Sequence, residues 1–134
     1  MEFHQGRLID HVHLRSRNFA ASRDFYRAVL AALGLSPTRD SDMTFSADEF
    51  YLDAADDYVS RVHLAFQAKT RDEVRAFHAA GLAHGGTDNG GPGERVYHPG
   101  YYAAFLIDPD GNNIEAVHHG PSERSAADVV VKPA

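Results

Sequence analysis

The chain has 134 residues, of which 43% are hydrophobic and 24% charged, and its formal net charge is −6 at pH 7. These values are typical of one globular domain, and the acidic balance excludes the basic surface of a nucleic-acid binder. No apolar run approaches the ~18 residues of a membrane helix, so we expect no membrane partner. Without cysteine the chain has no disulfides, thiolate metal sites or cysteine nucleophiles. The first residues contain no apolar signal core, and we expect a cytoplasmic protein.

The first half of the chain predicts a strand, a helix and further short strands. Residues 7–14 are predicted to form the strand. The helix should begin at Asn18 or Ser22, both good N-cap residues, and end at Gly34. Its buried stripe, at helical spacing, is predicted to be Phe25, Val29, Leu30 and Leu33.

The segment after this helix is predicted to hold two strands and a boundary. Residues 36–42 are polar and predict a loop, and short strands are predicted at 43–46 and 49–53. An acidic connector at 54–60 is the predicted boundary between the two halves.

The second half begins with the same order of elements. A strand is predicted at 61–68, and Thr70 with Glu73 forms a capping-box signature for a helix that stops at Gly85. The apolar stripe of this helix is predicted to be Val74, Phe77, Ala80 and Gly81. Residues 87–100 hold four glycines and two prolines and predict a long loop, a type of segment that is often functional.

The end of the chain predicts a hairpin and a tail. Strands are predicted at 101–107 and 113–118, joined by a turn at 108–111. The tail at 121–134 is small and polar, except that 129–131 is apolar enough to predict an extra strand.

The segment around His11 recurs without a gap around His63, 52 residues later. Phe25 meets Phe77 and Gly34 meets Gly86 in this repeat, which predicts a fold that is built twice. Because alternate strand residues share a face, each histidine lies opposite the apolar residues of its strand. This favours histidines that line a cavity, while the alternative is a pair of hydrogen-bonded core histidines.

Glu115 lies within an apolar strand, where a carboxylate is costly to bury unless it is paired or bound to a cation. The alternative is a glutamate on an edge strand that faces water. Two histidines and one carboxylate on separate strands match the nitrogen and oxygen triad of iron enzymes. With a fourth ligand, the same set suits zinc, nickel, cobalt or manganese.

Further polar residues lie close to these in the predicted strands. His98 and either Tyr101 or Tyr102 are candidate catalytic residues, because they could exchange a proton with a metal-bound oxygen. The alternative is that one tyrosine packs in the core and His98 orders the loop. His13 alternates with His11, and His119 alternates with Glu115, so both are candidates for the pocket.

Four segments resemble the vicinal oxygen chelate superfamily, which contains glyoxalase I, extradiol dioxygenases, and fosfomycin and bleomycin resistance proteins. They are DHVHL at 10–14, SRDFY at 22–26, HLAF at 63–66 and IDPDGNNIE at 107–115. The resemblance implies an α+β fold of two tandem βαβββ modules, which form a cupped mixed sheet with the helices outside. It places these modules at about 7–58 and 61–119 of a single domain that spans 1–134, with a tail at 120–134.

The resemblance also implies a metal site formed by His11, His63 and Glu115. The ion would be divalent, either Fe, Zn, Ni or Mn. The fourth-ligand position of glyoxalase I falls on Tyr51, and neither it nor Asp53, one inward step further, is a glutamate, although Asp53 is a possible substitute ligand. The site is therefore closer to the three-ligand arrangement of extradiol dioxygenases. The predicted substrate-binding residues are His13, Tyr51, Asp53 and His119.

By this resemblance we expect a metal-dependent enzyme that binds a small oxygen-chelating substrate, either a lyase or isomerase or a ring-cleaving dioxygenase. The alternative is a non-catalytic drug- or metabolite-binding protein. Bleomycin-binding members lack the metal triad, so the three retained ligand positions favour the enzyme. A homodimer is also implied, because members often pair modules across subunits.

Overall fold

The computed structural model describes residues 2, 4–6, 8–126 and 128–134. The chain forms two modules, each with one helix and one four-stranded sheet. The first contains β1 (Val12–Ser16), α1 (Phe19–Ala32), β2 (Arg39–Asp40), β3 (Thr44–Ala47) and β4 (Phe50–Ala54). The second contains β5 (His63–Gln67), α2 (Arg71–Ala83), β6 (Thr87–Glu94), β7 (Tyr102–Ile107) and β8 (Asn113–His118).

Both sheets have the same topology, which confirms the predicted pair of βαβββ modules. The strand orders are β1-β4-β3-β2 and β5-β8-β7-β6. In each sheet the first strand runs parallel to the last, and the remaining pairs are antiparallel. Val12 pairs with Phe50, and its repeat equivalent Leu64 pairs with Ile114. The residue after Phe50 is Tyr51, so Tyr51 is the first-module counterpart of Glu115, as the resemblance implied.

The helix caps follow the predicted signals. The Asn18 side chain accepts a hydrogen bond from the Ala21 amide at 3.2 Å, so Asn18, and not Ser22, is the N-cap of α1. Thr70 caps α2 by accepting from the Glu73 amide at 3.1 Å. Gly34 follows α1 with φ 78°, a left-handed conformation that favours glycine.

The two helices pack on each other and share one core with the sheets. Gly81 stands in the last turn of α2, where alanine would be the better helix former. A Cβ atom at Gly81 would overlap the Leu106 side chain and lie 3.2 Å from Val29 Cγ1. The glycine is therefore required by the close approach of α2 to β7 and α1.

Gly81→Ala is expected to lower the free energy of unfolding by about 1–3 kcal/mol, because overpacking outweighs the better helix propensity of alanine. Urea denaturation followed by circular dichroism measures the change. Ala79→Gly, at an exposed position of the same helix, reports the propensity term alone. A Gly81→Ala variant as stable as the natural protein would contradict the packing explanation.

The turn at 108–111 joins the two modules. Asp108 is buried, and its carboxylate accepts hydrogen bonds from the Tyr26 hydroxyl at 2.5 Å and from Asn112 Nδ2 at 2.8 Å. Burial and the Asp108 carboxylate raise the pKa of Tyr26, which keeps its proton. Asp110 accepts from the Arg17 amide at 2.9 Å and from the Ser22 hydroxyl at 3.0 Å. The turn of the second module is thus bonded to the first helix and to the residue that follows β1.

Several predicted boundaries differ from the structure. The first predicted strand began at Arg7, which lies outside the described residues, and the observed β1 begins at Val12. The predicted loop at 36–42 contains the short strand β2. The predicted strand at 129–131 is wrong, because these exposed valines pair with no strand in the described chain.

The predicted long loop at 87–100 is also largely wrong, since 87–94 forms β6. This strand pairs antiparallel with β7, with register shifts between Asp88 and Gly90 and between Gly90 and Gly93. Bulges of this kind accommodate glycine and proline in a strand, and an edge position requires fewer backbone hydrogen bonds. Neither helix of the described chain is long and apolar enough to cross a membrane.

Candidate functional site

The buried carboxylate of Glu115 is the centre of the candidate site. Glu115 is 2% exposed and lies on β8, an inner strand of its sheet, so the alternative of an edge-strand glutamate in water is wrong. Its Oε1 lies 2.9 Å from His63 Nε2, and its Oε2 accepts a hydrogen bond from the Tyr101 hydroxyl. Ala65 stands beside Glu115 in the register of β5 and β8, and His63 lies on the same face of β5.

The exposed fraction of the side chain differs sharply between His63 and Glu115. The His63 side chain is 54% exposed, whereas that of Glu115 is 3% exposed. Burial of a carboxylate is costly without partners, and His63 and Tyr101 supply them. Burial and the Glu115 carboxylate raise the pKa of Tyr101, so its hydroxyl stays protonated and donates. The site is therefore open to solvent at the His63 imidazole.

Two more predicted site residues, His98 and His119, contact the ring of Tyr101. His98 Nε2 lies 2.9 Å from His119 Nδ1, and the two rings stack at 5.2 Å. Each ring also meets the Tyr101 ring edge-on at 5.3 Å. Burial and then the neighbouring His98 lower the pKa of His119, which favours its neutral form. His98, Tyr101 and His119 therefore form one polar group next to Glu115.

Tyr102 lies elsewhere, because successive strand residues point to opposite faces. It is buried on the helix side of β7, where its hydroxyl accepts from Arg75 Nη1 at 2.9 Å. The Arg71 guanidinium covers its ring at 4.7 Å. The structure thus separates the two candidate tyrosines, and Tyr102 is not part of the site proposed below.

The predicted pocket residues of the first module also come together, on the first sheet. His13 Nε2 lies 2.8 Å from Asp53 Oδ1, and the Tyr51 ring meets the His13 ring edge-on at 4.8 Å. Arg15 Nε lies 3.4 Å from the same Asp53 oxygen. Sequence reasoning missed Arg15, although it alternates with His13 along β1 and so shares its face.

His11 is not brought to His63 and Glu115. It is exposed, directly precedes β1, and places Nδ1 2.5 Å from Asp10 Oδ1. Across the residues that the structure describes, no group of three or more histidine or acidic side chains stands close enough to hold a metal ion. His63 and Glu115 supply one nitrogen and one oxygen, a donor set that suits a first-row transition metal but lacks a third member.

Comparisons with known proteins agree with this architecture. The family described as the Glyoxalase/Bleomycin resistance protein/Dioxygenase superfamily matches residues 8–116. A glyoxalase/bleomycin resistance protein from Albidiferax ferrireducens is 31% identical with a TM-score of 0.72, over 83% of this chain and 98% of that one.

Two more distant structures share the fold. A lactoylglutathione lyase from Agrobacterium tumefaciens is 20% identical with a TM-score of 0.60, over 84% of this chain and 94% of that one. A glyoxalase/bleomycin resistance protein/dioxygenase family enzyme from Burkholderia phytofirmans is 21% identical with a TM-score of 0.60, over 81% of this chain and 95% of that one. No curated protein matches the chain significantly.

Proposed function

Since this chain belongs to the glyoxalase/bleomycin resistance protein/dioxygenase superfamily, we propose that it is a metal-dependent enzyme acting on a small oxygen-chelating substrate. The observation that carries this proposal is Glu115, a buried carboxylate whose Oε1 meets the exposed imidazole of His63 at 2.9 Å. A carboxylate aimed at an imidazole on an open sheet face is the start of a nitrogen and oxygen metal site.

A homodimer would complete the ligand set. His63 Nε2 and Glu115 Oε1 would hold the ion, and His11 of a second copy would add the third ligand. Three observations support this arrangement. His11 is exposed at the start of β1, no third ligand lies nearby among the described residues, and β5 is an edge strand with three of five residues exposed. An open edge strand is a common place for another chain to dock. The set suits Fe, Zn, Ni or Mn.

Each nearby side chain would have a separate task. A bound divalent ion supplies Lewis-acid stabilisation of a developing oxyanion. Tyr101 holds the Glu115 carboxylate through Oε2 and leaves Oε1 for the open side. The His98–His119 pair lies against the Tyr101 ring and would accept or return a substrate proton.

The first module would provide the opposite wall of the pocket. Its polar face carries the His13–Asp53 pair, in which the carboxylate fixes the orientation of the imidazole. Tyr51 packs against His13 at the position equivalent to Glu115. This wall offers hydrogen-bonding groups to a substrate. The identity of the bound metal would decide between a lyase or isomerase and a ring-cleaving dioxygenase.

Elemental analysis of protein purified without added metal tests the proposed function. We expect near-stoichiometric divalent metal, because two imidazoles and one carboxylate, combined in the homodimer, would form a complete nitrogen and oxygen ligand set. Iron together with oxygen uptake would identify a dioxygenase, whereas zinc, nickel or manganese without oxygen uptake would identify a lyase or isomerase. Metal-free protein with a tightly bound organic molecule would overturn the proposal in favour of a non-catalytic binding protein.

A further inference from the structure

Arg95 lies on the same sheet face as Glu115 and His63. Its guanidinium lies over the Phe105 ring, 5.4 Å from the ring centroid. Phe105 pairs in register with Glu115, and directly paired residues of antiparallel strands share a face. The Phe105 ring also lies 6.0 Å from the His63 ring. The positive charge of Arg95 therefore lies on the sheet face that carries the candidate metal site.

This charge has no acidic partner within the described chain. Arg95 donates only to main-chain carbonyls, from Nη1 to Glu94 O at 3.3 Å and from Nη2 to Gly91 O at 2.8 Å. Arg71 differs, because it bonds the Glu94 carboxylate at 2.9 Å on the other face of the sheet. A partly buried cation with no acidic partner among the described residues, in a chain of net charge −6, leaves a positive charge that can meet an anionic ligand.

The glycines of β6 make room for this guanidinium. A Cβ atom at Gly93 would lie 3.1 Å from Arg95 Nη1, and one at Gly90 would lie 3.3 Å from Nη2. Both glycines stand at the register shifts of β6. The bulged strand therefore holds the guanidinium over Phe105, and its remaining N–H groups have no partner among the described residues. Sequence reasoning expected function in this glycine-rich segment, and the structure shows what the glycines accommodate.

We propose that Arg95 binds a carboxylate of the substrate, so that the substrate is an anionic small molecule that carries a carboxylate in addition to its two chelating oxygens. The inference rests on the proposed function, because Arg95 faces the same site. A guanidinium held flat against a ring presents its N–H groups at the edge of its plane, where a planar carboxylate can meet two of them. Partial burial strengthens that contact relative to water.

Two matched probes test this inference, protocatechuate and its amide, protocatechuamide. Both offer adjacent oxygens to a metal, and they differ mainly in the charge of the remaining group. Isothermal titration of the metal-supplemented full chain gives both dissociation constants. The natural protein should bind the acid about tenfold or more tightly than the amide, since a hydrogen bond to a charged group is worth that much. Arg95→Gln should reduce this preference to near parity.

Arg71→Gln is the control, because it removes the same charge from the opposite face of the sheet and should keep the preference for the acid. The inference is overturned if Arg95→Gln retains the preference, or if the natural protein shows none. A repeat of both titrations with a metal chelator separates the two proposals. Unchanged affinities under chelation would refute the metal function, while the acid-to-amide ratio would still decide the role of Arg95.

Discussion

Glu115→Gln is expected to lower the affinity for divalent metal by at least about 100-fold, since even a second-shell partner is worth 10- to 100-fold. Glutamine keeps the shape of the side chain, and its amide oxygen can still accept the Tyr101 hydrogen bond. The neutral amide is a poor metal ligand, so the loss should fall on metal binding and not on folding. Removal of a charge that is 2% exposed also relieves its desolvation cost.

Competition with a chromogenic chelator measures this affinity, and urea denaturation of the metal-free variant checks that the fold is intact. Glu94→Gln is the matched control, because Glu94 is an exposed carboxylate on β6 of the same sheet. It should bind metal like the natural protein. Equal metal content in Glu115→Gln and the natural protein would refute the ligand assignment.

A mixture of two variants tests whether the site is shared between copies. His11→Ala and Glu115→Gln chains should each bind metal poorly in their own homodimers. In a mixed dimer with shared sites, one site combines the intact His11 of one chain with the intact Glu115 of the other, and binding returns at that site. Refolding the variants together should therefore restore metal binding that neither has alone. No recovery would show that His11 does not act across subunits.

The duplicated fold could be predicted because its signals are local. The ungapped repeat places His11 and His63 at equivalent positions, and Val12 and Leu64 have equivalent partners in the two sheets. Capping residues and helical stripes depend on neighbours within one or two turns. Strand alternation was also enough to place Glu115 with His63, because their strands are adjacent and parallel.

Other features depend on contacts that the sequence does not encode locally. β6 has the composition of a loop, and its pairing with β7 becomes visible only when both strands are placed. The position of His11 relative to Glu115 depends on how the two sheets are arranged, which strand alternation does not determine. Tyr101 and Tyr102 are adjacent in the chain, but Tyr101, just before β7, bonds Glu115, whereas Tyr102, the first residue of β7, bonds Arg75 of α2.

The turn at 108–111 shows the same limit, and it leads to the largest predicted effect on stability. The sequence predicts the turn itself, but not that Asp108 meets Tyr26, 82 residues away in the chain. Asp108→Ala is expected to lower the free energy of unfolding by about 3–5 kcal/mol. It would leave the buried Tyr26 hydroxyl and Asn112 Nδ2 without their acceptor, together with the amides of Asp110 and Asn112. Each buried donor that is left without an acceptor lowers the free energy of unfolding by about 1 kcal/mol or more.

Urea denaturation with Tyr26→Phe as the comparison separates the turn from the helix contact. Tyr26→Phe removes only the hydroxyl donor and should cost about 1 kcal/mol, because the carboxylate keeps its other three bonds. If Asp108→Ala cost no more than Tyr26→Phe, the three bonds within the turn would contribute nothing to stability. The larger expected loss follows from the position of Asp108. One buried carboxylate both closes the turn before the Glu115 strand and holds that turn to the helix of the first module, so its removal loosens the site and the module contact together.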